Sequence, residues 1–460
     1  MKIFLKDLKE RFPEFEIKNY DESAFFTGFT YDSRDISQQD IFIPIIGEKF
    51  DGHSFICEAL ESGCSMALCE NKRYSSIEGV NKPLILVDSI QEGLKKVLNY
   101  SIGYIKKPIV AISGSTGKST TRGMLVSILK NHMKVLSSEK YNTVWGNAVL
   151  LGKYVDEDVI VLECGMDTKG EMAWHVNSVD PDYGILLNIG EVHAEKLGSI
   201  NEIFKEKKDL ADYMEKTGKP LILNIDDERL QHIANNYNKS AELVTFGKKE
   251  NAQFQISNIS VDNEGTHFTF KYYDDNIVDV DLSVYGEGYA YDAMAAIIVA
   301  NELGVSIDNC VRDIQYYEGQ EARFQKLEFG NVTLINDAYN ANPESMKMSI
   351  NTFRKLFPKE YYTIAVLGEM KELGSISKQR HRELGEHALE MKFNEVYFVG
   401  DYFSEFKIGE HLESADEVAA LLNSKLQGLR NRKVAILLKG SHALGLYLIP
   451  DFLKKLGMIN

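Results

Sequence analysis

Short apolar runs, each followed by an amphipathic stretch, recur along most of the chain. "PIVAIS" (108–113), "VIVLE" (159–163), "YGILLNI" (183–189) and "PLILNI" (220–225) carry almost no polar residues. "VTLIND" (332–337), "YTIAVLG" (362–368), "EVYFVG" (395–400) and "VAILLKG" (434–440) repeat the pattern later. Continuous apolar runs of this length predict strands covered on both faces, and their alternation with helical periods predicts parallel α/β architecture. One region differs. Residues 254–286, "FQISNISVDNEGTHFTFKYYDDNIVDVDLSVYG", alternate apolar and polar positions around the turn-like "DNEG", which predicts an antiparallel meander. Three α/β blocks are expected: 1–105, 106–320 and 321–460.

One helical stretch breaks its own pattern. In "GSINEIFKEKKDLADYM" (198–214), Ile203, Leu210 and Met214 share a face at a 3.6-residue period. Lys207 falls inside that stripe, about 40° from Ile203, whereas Lys205 and Lys208 point away. Lysine is rarely fully buried unless paired, so Lys207 needs a reason.

Composition narrows the classes. The 460 residues are 44% hydrophobic and 26% charged, as in ordinary globular proteins. A formal charge of −16 argues against a general nucleic-acid or anionic-membrane binder. The start "MKIFLKDLKERFPEF" has no signal-peptide core, and no run reaches membrane-spanning length, so a cytoplasmic protein is expected. Cys57, Cys64, Cys69, Cys164 and Cys310 show no C-x-x-C spacing, which predicts reduced thiols rather than a zinc site or disulfides.

The chemistry starts at "VAISGSTGKSTTRGMLVSIL". A strand ends at Ser113, a tight loop runs through Gly114, Ser115, Thr116 and Gly117, and a helix begins near Lys118. Backbone N–H groups and a helix N-terminus there surround an anion. Lys118 can reach outer phosphates and the Ser119 hydroxyl can bind Mg²⁺. The form is G-x-x-G-K-S-T, shorter than the strict phosphate-loop pattern. It indicates a nucleoside triphosphate without specifying a reaction. Mg²⁺ prefers hard oxygen ligands. Glu163 ends a parallel strand, where ligands collect, and is either a metal ligand or a loop ion-pair partner. His193 follows the strand at 183–189 and is either a ligand or a structural hydrogen bonder. A desolvated Lys207 can lose its proton. As a free amine it can add CO₂, and the resulting carbamate is an anion suited to a hard metal.

Together these stretches resemble the Mur ligase family, ATP-dependent amide-forming enzymes of peptidoglycan synthesis. "TYDSRDISQQDIFIPIIGEKFDGHSFICEAL", "GSTGKSTT", "YNTVWGN", "ECGMDTKGEM", "NIGEVHAEKLGS" and "KEKKDL" fall in the family's order. "NDAYNANPESM", "LGEMKELGSISKQRH", "RFQ" and "LLKGSHALGL" follow in the last block. The resemblance implies three domains: a UDP-substrate-binding α/β domain, a central P-loop ATP-binding domain and a C-terminal Rossmann-like domain for the incoming amine. It also implies a ligase that joins D-alanyl-D-alanine to a UDP-N-acetylmuramoyl-tripeptide through an acyl phosphate.

The resemblance assigns roles residue by residue. Lys118, Glu163, His193, carbamylated Lys207 and Arg323 would be catalytic. Ser119, Glu163, His193 and Lys207 would hold two Mg²⁺ ions. ATP would meet Gly114 to Thr120, Arg323 and Asp337. Ser33, Arg34, Gly47, Asp51, His53, Tyr141 and Asn142 would bind the nucleotide-sugar substrate. Asn340, Asn342 and Glu344 would lie near the dipeptide. His381 is either close to that site or a helix-surface histidine. Three stretches depart from the family pattern. "GEGYAYDAMAA" puts Gly288, Tyr289 and Asp292 where an H-N…N cluster is usual, so that Tyr289 would stack on adenine and Asp292 accept from its amino group. "SSEK" (137–140) replaces a T-x-G-N pattern, and His442 stands for an arginine. These departures keep open a paralogous ligase with another acceptor or amine; a further alternative is a catalytically idle nucleotide-binding regulator, against which the intact Lys118, Glu163, His193 and Lys207 argue. A monomer working on small molecules, without nucleic acid or membrane insertion, is the expectation.

Overall fold

The computed structural model describes residues 1–47, 50–77, 79–273, 276–404 and 409–455. The protein is α/β throughout, built on three larger sheets. In the central domain, six parallel strands run in the order Leu243–Gly247, Leu221–Asn224, Tyr183–Leu186, Ile109–Ser113, Val159–Glu163 and Val135–Ser137. Their side chains are almost all buried, because helices cover both faces, as the apolar runs require. Phe254–Val261 adds to this sheet in parallel beside Leu243–Gly247, and with Thr266–Tyr272 and Asn276–Leu282 it forms the expected antiparallel meander. The meander leaves one face of its strands toward water, which is why their apolar positions alternate.

The C-terminal sheet has the order Gln325–Phe329, Val332–Asp337, Val434–Lys439, Tyr362–Gly368, Glu395–Val399 and Glu410–Leu412. Only its first pair is antiparallel. The N-terminal sheet is smaller: Glu16–Lys18, Leu84–Val87, Met66–Glu70, Asp40–Phe42 and Gly28–Thr30. Among the described residues, no helix is long and apolar enough to cross a membrane. Cys64, Cys69, Cys164 and Cys310 are buried and Cys57 is half-buried, all as free thiols.

One strand is shorter than its apolar run. Tyr183–Leu186 stops before Leu187, Asn188 and Ile189, because Asn188 leaves the sheet to hydrogen-bond the neighbouring loop. The two catalytically suggestive sheets present their strand C-termini to each other. Ser113 and Glu163 end central strands, and Asp337 and Lys439 end C-terminal ones. The carboxyl ends of parallel strands are where open α/β sheets gather ligands.

Candidate functional site

A cleft of about 1310 Å³ lies between the central and C-terminal sheets. Its floor is the loop from Ser115 to Thr120, which turns from the strand Ile109–Ser113 into the helix Lys118–Leu129. Gly117 has φ +83, and a Cβ there would lie 2.2 Å from Asp292 Oδ1, so only glycine fits this turn. Asn188 stiffens the loop. Its Oδ1 accepts from Ser115 N (3.0 Å) and Thr116 N (2.9 Å), and its Nδ2 donates to Thr116 O (3.2 Å). Asn188 escaped the sequence reading; its place just after a buried strand, beside Gly190, was the available signal.

Two lysines converge on one carbonyl. Lys118 Nζ donates to Gly114 O at 2.7 Å and Lys207 Nζ to the same oxygen at 3.1 Å. Lys207 lies in the helix Ile200–Thr217, buried beside Ile203, Leu210, Ala211 and Met214 and only 1% exposed. Burial, and then the Lys118 charge, push its pKa far below the usual lysine value. Burial likewise lowers Lys118, against the pull of Glu163. Two ammonium groups on one buried oxygen repel each other, and among the described residues Lys207 has no carboxylate partner, so of the two it is Lys207 whose charged form is the more disfavoured. It packs behind the loop and does not line the cleft.

Glu163 is held from two sides. Ser119 Oγ donates to its Oε2 (2.9 Å), and Arg122 Nε donates to its Oε1 (2.8 Å). Arg122 is buried and also reaches Glu139 of the "SSEK" segment at 3.3 Å. The sequence reading missed Arg122, although it sits one helical turn beyond Lys118. His193, at φ +55, lines the same cleft, and its Nδ1 lies 2.6 Å from Glu372 and 3.1 Å from Asp167. Ser119 and Glu163 present adjacent hard oxygens, so they fit Mg²⁺ once nucleotide oxygens complete its shell. His193 keeps its other ring nitrogen available.

Arg323 reaches the loop from the C-terminal side. Its Nη2 donates to Ser119 Oγ (3.1 Å), and its guanidinium lies 4.2 Å from the Tyr339 ring centroid. Tyr339 also meets the His442 ring, which stacks on Tyr447 at 4.4 Å. At that position an imidazole therefore extends an aromatic stack. Lys439, absent from the expected set, is buried with Nζ 2.9 Å from Asp337 Oδ2, and Phe324 N donates to Asp337 Oδ1 (3.0 Å). Asp337 and Asn340 line the cleft. So does Asn342, whose side chain accepts from Ser345 N as the N-cap of the helix Pro343–Leu356. Glu344 lies against Gly190 and is not part of the lining.

Asp292 and Tyr289 line the cleft with other partners than a base. Asp292 Oδ1 accepts from Thr121 Oγ1 at 3.2 Å beneath the phosphate loop, and burial raises its pKa to about 8. The Tyr289 hydroxyl donates to Arg323 O (2.9 Å). Ser349 lines the same wall with a buried hydroxyl that has no hydrogen-bond partner among the described residues.

These features span the chain's recognisable family segments. Residues 26–101 match the model "Mur ligase family, catalytic domain", 112–300 "Mur ligase middle domain" and 322–442 "Mur ligase, glutamate ligase domain". The chain belongs to the Mur ligase family. It is similar to the UDP-N-acetylmuramoyl-tripeptide–D-alanyl-D-alanine ligase of Bacillus subtilis, with 28% identity covering 88% of this chain and 90% of that one. A crystal structure of the MurF ligase from Thermotoga maritima with ADP superposes with TM-score 0.81 at 27% identity, covering 93% and 97% of the two chains. MurF from Acinetobacter baumannii shares the fold, with TM-score 0.88 and 23% identity over 99% of each chain.

Of the remaining expected positions of this Mur ligase, all but Asn142 lie outside the cleft. Arg34 is exposed and pairs with Asp32 through two bonds of 2.8 Å. Ser33 is half-buried, and Gly47 N donates to Phe50 O. His53 is buried. Its Nδ1 meets Asp51 Oδ1 at 2.7 Å and its Nε2 accepts from Glu70 N at 3.0 Å, so both ring nitrogens serve the N-terminal fold. Tyr141 is buried and flanked by Lys140 and Lys153, while Asn142 lines the cleft and its carbonyl accepts from Gly165 N (2.7 Å). His381 is not on a helix surface. It is buried, its Nε2 accepts from Met370 N (2.9 Å) and its ring stacks on Tyr402.

Proposed function

We propose that this enzyme uses ATP to join D-alanyl-D-alanine to a UDP-N-acetylmuramoyl-tripeptide, as a cytoplasmic monomer. The observation that carries the reading is the shared cleft: a phosphate loop from one sheet faces Asp337 and Asn340 from another, with Arg323 reaching Ser119 across it. The names of the relatives support the choice of acceptor and amine. In this reading residues 1–105 hold the UDP substrate, 106–320 bind ATP, and 321–460 receive the dipeptide.

Carboxylate and amine do not condense unaided in water. The acceptor's terminal carboxylate oxygen attacks the γ-phosphorus, the bond to the β-phosphate oxygen breaks, and ADP leaves. The dipeptide amine then attacks the acyl carbon, a C–N bond forms, and phosphate departs with one oxygen of the former carboxylate and the amine releases a proton. The protein's part is positioning and charge neutralisation. Loop N–H groups cradle the phosphates, and Lys118 turns from Gly114 O toward them. Arg323 adds positive charge where it builds up. Ser119 and Glu163 would hold one Mg²⁺, and His193 a second, together with a carbamate that would extend Lys207 from behind the loop; both ions would supply charge neutralisation to the phosphoryl oxygens. The neutral Lys207 amine would add CO₂, forming an N–C bond and losing a proton, and so change from a neutral group to an anion. Closure of the cleft shields the acyl phosphate from water.

The test supplies ATP, Mg²⁺, UDP-muramoyl tripeptide and D-Ala-D-Ala and follows phosphate with each omitted in turn. Release that needs both substrates is the expected result. Turnover only with another acceptor or amine selects a paralogous ligase. ATP binding without turnover on any acceptor makes the protein a regulator.

A further inference from the structure

A loop of the C-terminal sheet sits directly on His193. After the strand Tyr362–Gly368, the chain brings Glu372 to within 2.6 Å of His193 Nδ1, with Asp167 of the central domain 3.1 Å from the same nitrogen. The Glu372 approach is oblique to the ring's N–H direction. The contact is built from both sides. Glu195 N donates to Glu372 O at 3.0 Å, and Arg380 grips Glu191 through two bonds of 2.6 and 2.7 Å. A Cβ on Gly374 would come 2.9 Å from Glu195 Cα. His193 and Glu372 are both non-glycine residues in the left-handed region, at φ +55 and +64. Such backbone persists where the surroundings over-determine it, and it clusters at sites of function.

We propose that Glu372 is a positioning residue for His193 and acts only while the C-terminal domain is docked; this rests on the function proposed above. With two carboxylates against Nδ1, Nε2 is the nitrogen left to bind metal, and the negative charge beside Nδ1 favours the tautomer that carries its proton there and limits rotation of the ring. Asp167 and Lys196, which is 3.0 Å from Asp167, remain when the domains part, so the undocked enzyme keeps a weaker and less directed hold. Arrival of the third domain would therefore complete the metal site as well as deliver Arg323.

The test uses the full chain with Mn²⁺ and a non-hydrolysable ATP analogue, read by pulsed EPR for histidine-nitrogen coupling and by Mn²⁺ titration. Wild type should show the coupling, and His193→Ala should abolish it. Glu372→Ala should weaken Mn²⁺ at that site by about tenfold, while Glu372→Gln, which keeps an acceptor, should stay within about threefold. Arg380→Gln breaks the other clasp without touching His193 and should change affinity less than Glu372→Ala. Wild-type coupling and affinity in Glu372→Ala, or an equal loss in Arg380→Gln, overturns the inference. Wild-type protein that binds no Mn²⁺ beside the nucleotide overturns the functional reading instead.

Discussion

Replacing Lys207 tests the least ordinary part of the site. Lys207→Met keeps a long unbranched side chain among Ile203, Leu210 and Met214. The lost bond to Gly114 O costs about 1 kcal/mol. The desolvation of a buried amine is relieved in exchange, so stability should change by less than about 1.5 kcal/mol. Lys207→Ala instead opens a cavity and should cost about 2–5 kcal/mol. Turnover should follow the chemistry rather than stability. If Lys207 carries the proposed carbamate, both variants lose it, and phosphate release should fall at least ~100-fold, which is about 2.7 kcal/mol of transition-state stabilisation. Acetate or formate should partly restore Lys207→Ala by filling the space with a carboxylate. Added bicarbonate should protect the wild type. There is also a sign in pH. Burial pushes the Lys207 pKa in the fold far below its unfolded value of about 10.4, so between the two the unfolded state binds more protons. In bicarbonate-free buffer, this residue makes stability rise with pH between its lowered folded pKa and its unfolded one, by up to about 1.4 kcal/mol per unit. Lys207→Met should lack that slope. A Lys207→Met enzyme with wild-type turnover refutes the carbamate.

Asp292 should give the opposite slope. Its carboxyl, raised to about 8 from 3.8, is protonated in the fold and ionised in the unfolded chain between those values, so its contribution is present below pH 4 and lost as pH rises to 8. Asp292→Asn should flatten this loss in thermal melts and tighten ATP binding above pH 8, where a carboxylate beneath the phosphates repels them. Arg323→Ala should lower kcat about 10³-fold while leaving stability within about 1 kcal/mol; Arg323→Lys should recover only part, because one ammonium cannot both reach Ser119 and stack on Tyr339.

How much of this was legible follows from how far apart the partners lie. The parallel strands were readable because burial on both faces leaves continuous apolar runs. The phosphate loop was readable because its glycines, lysine and hydroxyls are consecutive. Lys207 was readable because helix phase is local. The partners were not. Arg122 meets Glu163 from 41 residues away, Asn188 meets the loop from 73, and Lys439 meets the Asp337 carbonyl from 102. Nothing in a short window encodes such pairs. Asn342 shows a different limit. The run "NPES" is a helix start, with asparagine as cap and proline at the first position, and this local role was overshadowed by the expectation of a substrate contact. His53 was read as a nucleotide contact, but its two satisfied ring nitrogens emerge only when Asp51 and Glu70 are brought beside it. The split between Lys118 and Lys207 also needed three dimensions, since it depends on two side chains sharing Gly114 O.

The most direct measurement labels the acceptor. A UDP-muramoyl tripeptide carrying ¹⁸O in both oxygens of its terminal carboxylate is turned over with ATP and D-Ala-D-Ala, and the released phosphate is weighed by mass spectrometry. An acyl-phosphate ligase transfers one ¹⁸O to each phosphate and keeps the other in the new amide. Phosphate without ¹⁸O, or release of pyrophosphate and AMP in place of phosphate and ADP, would contradict the account.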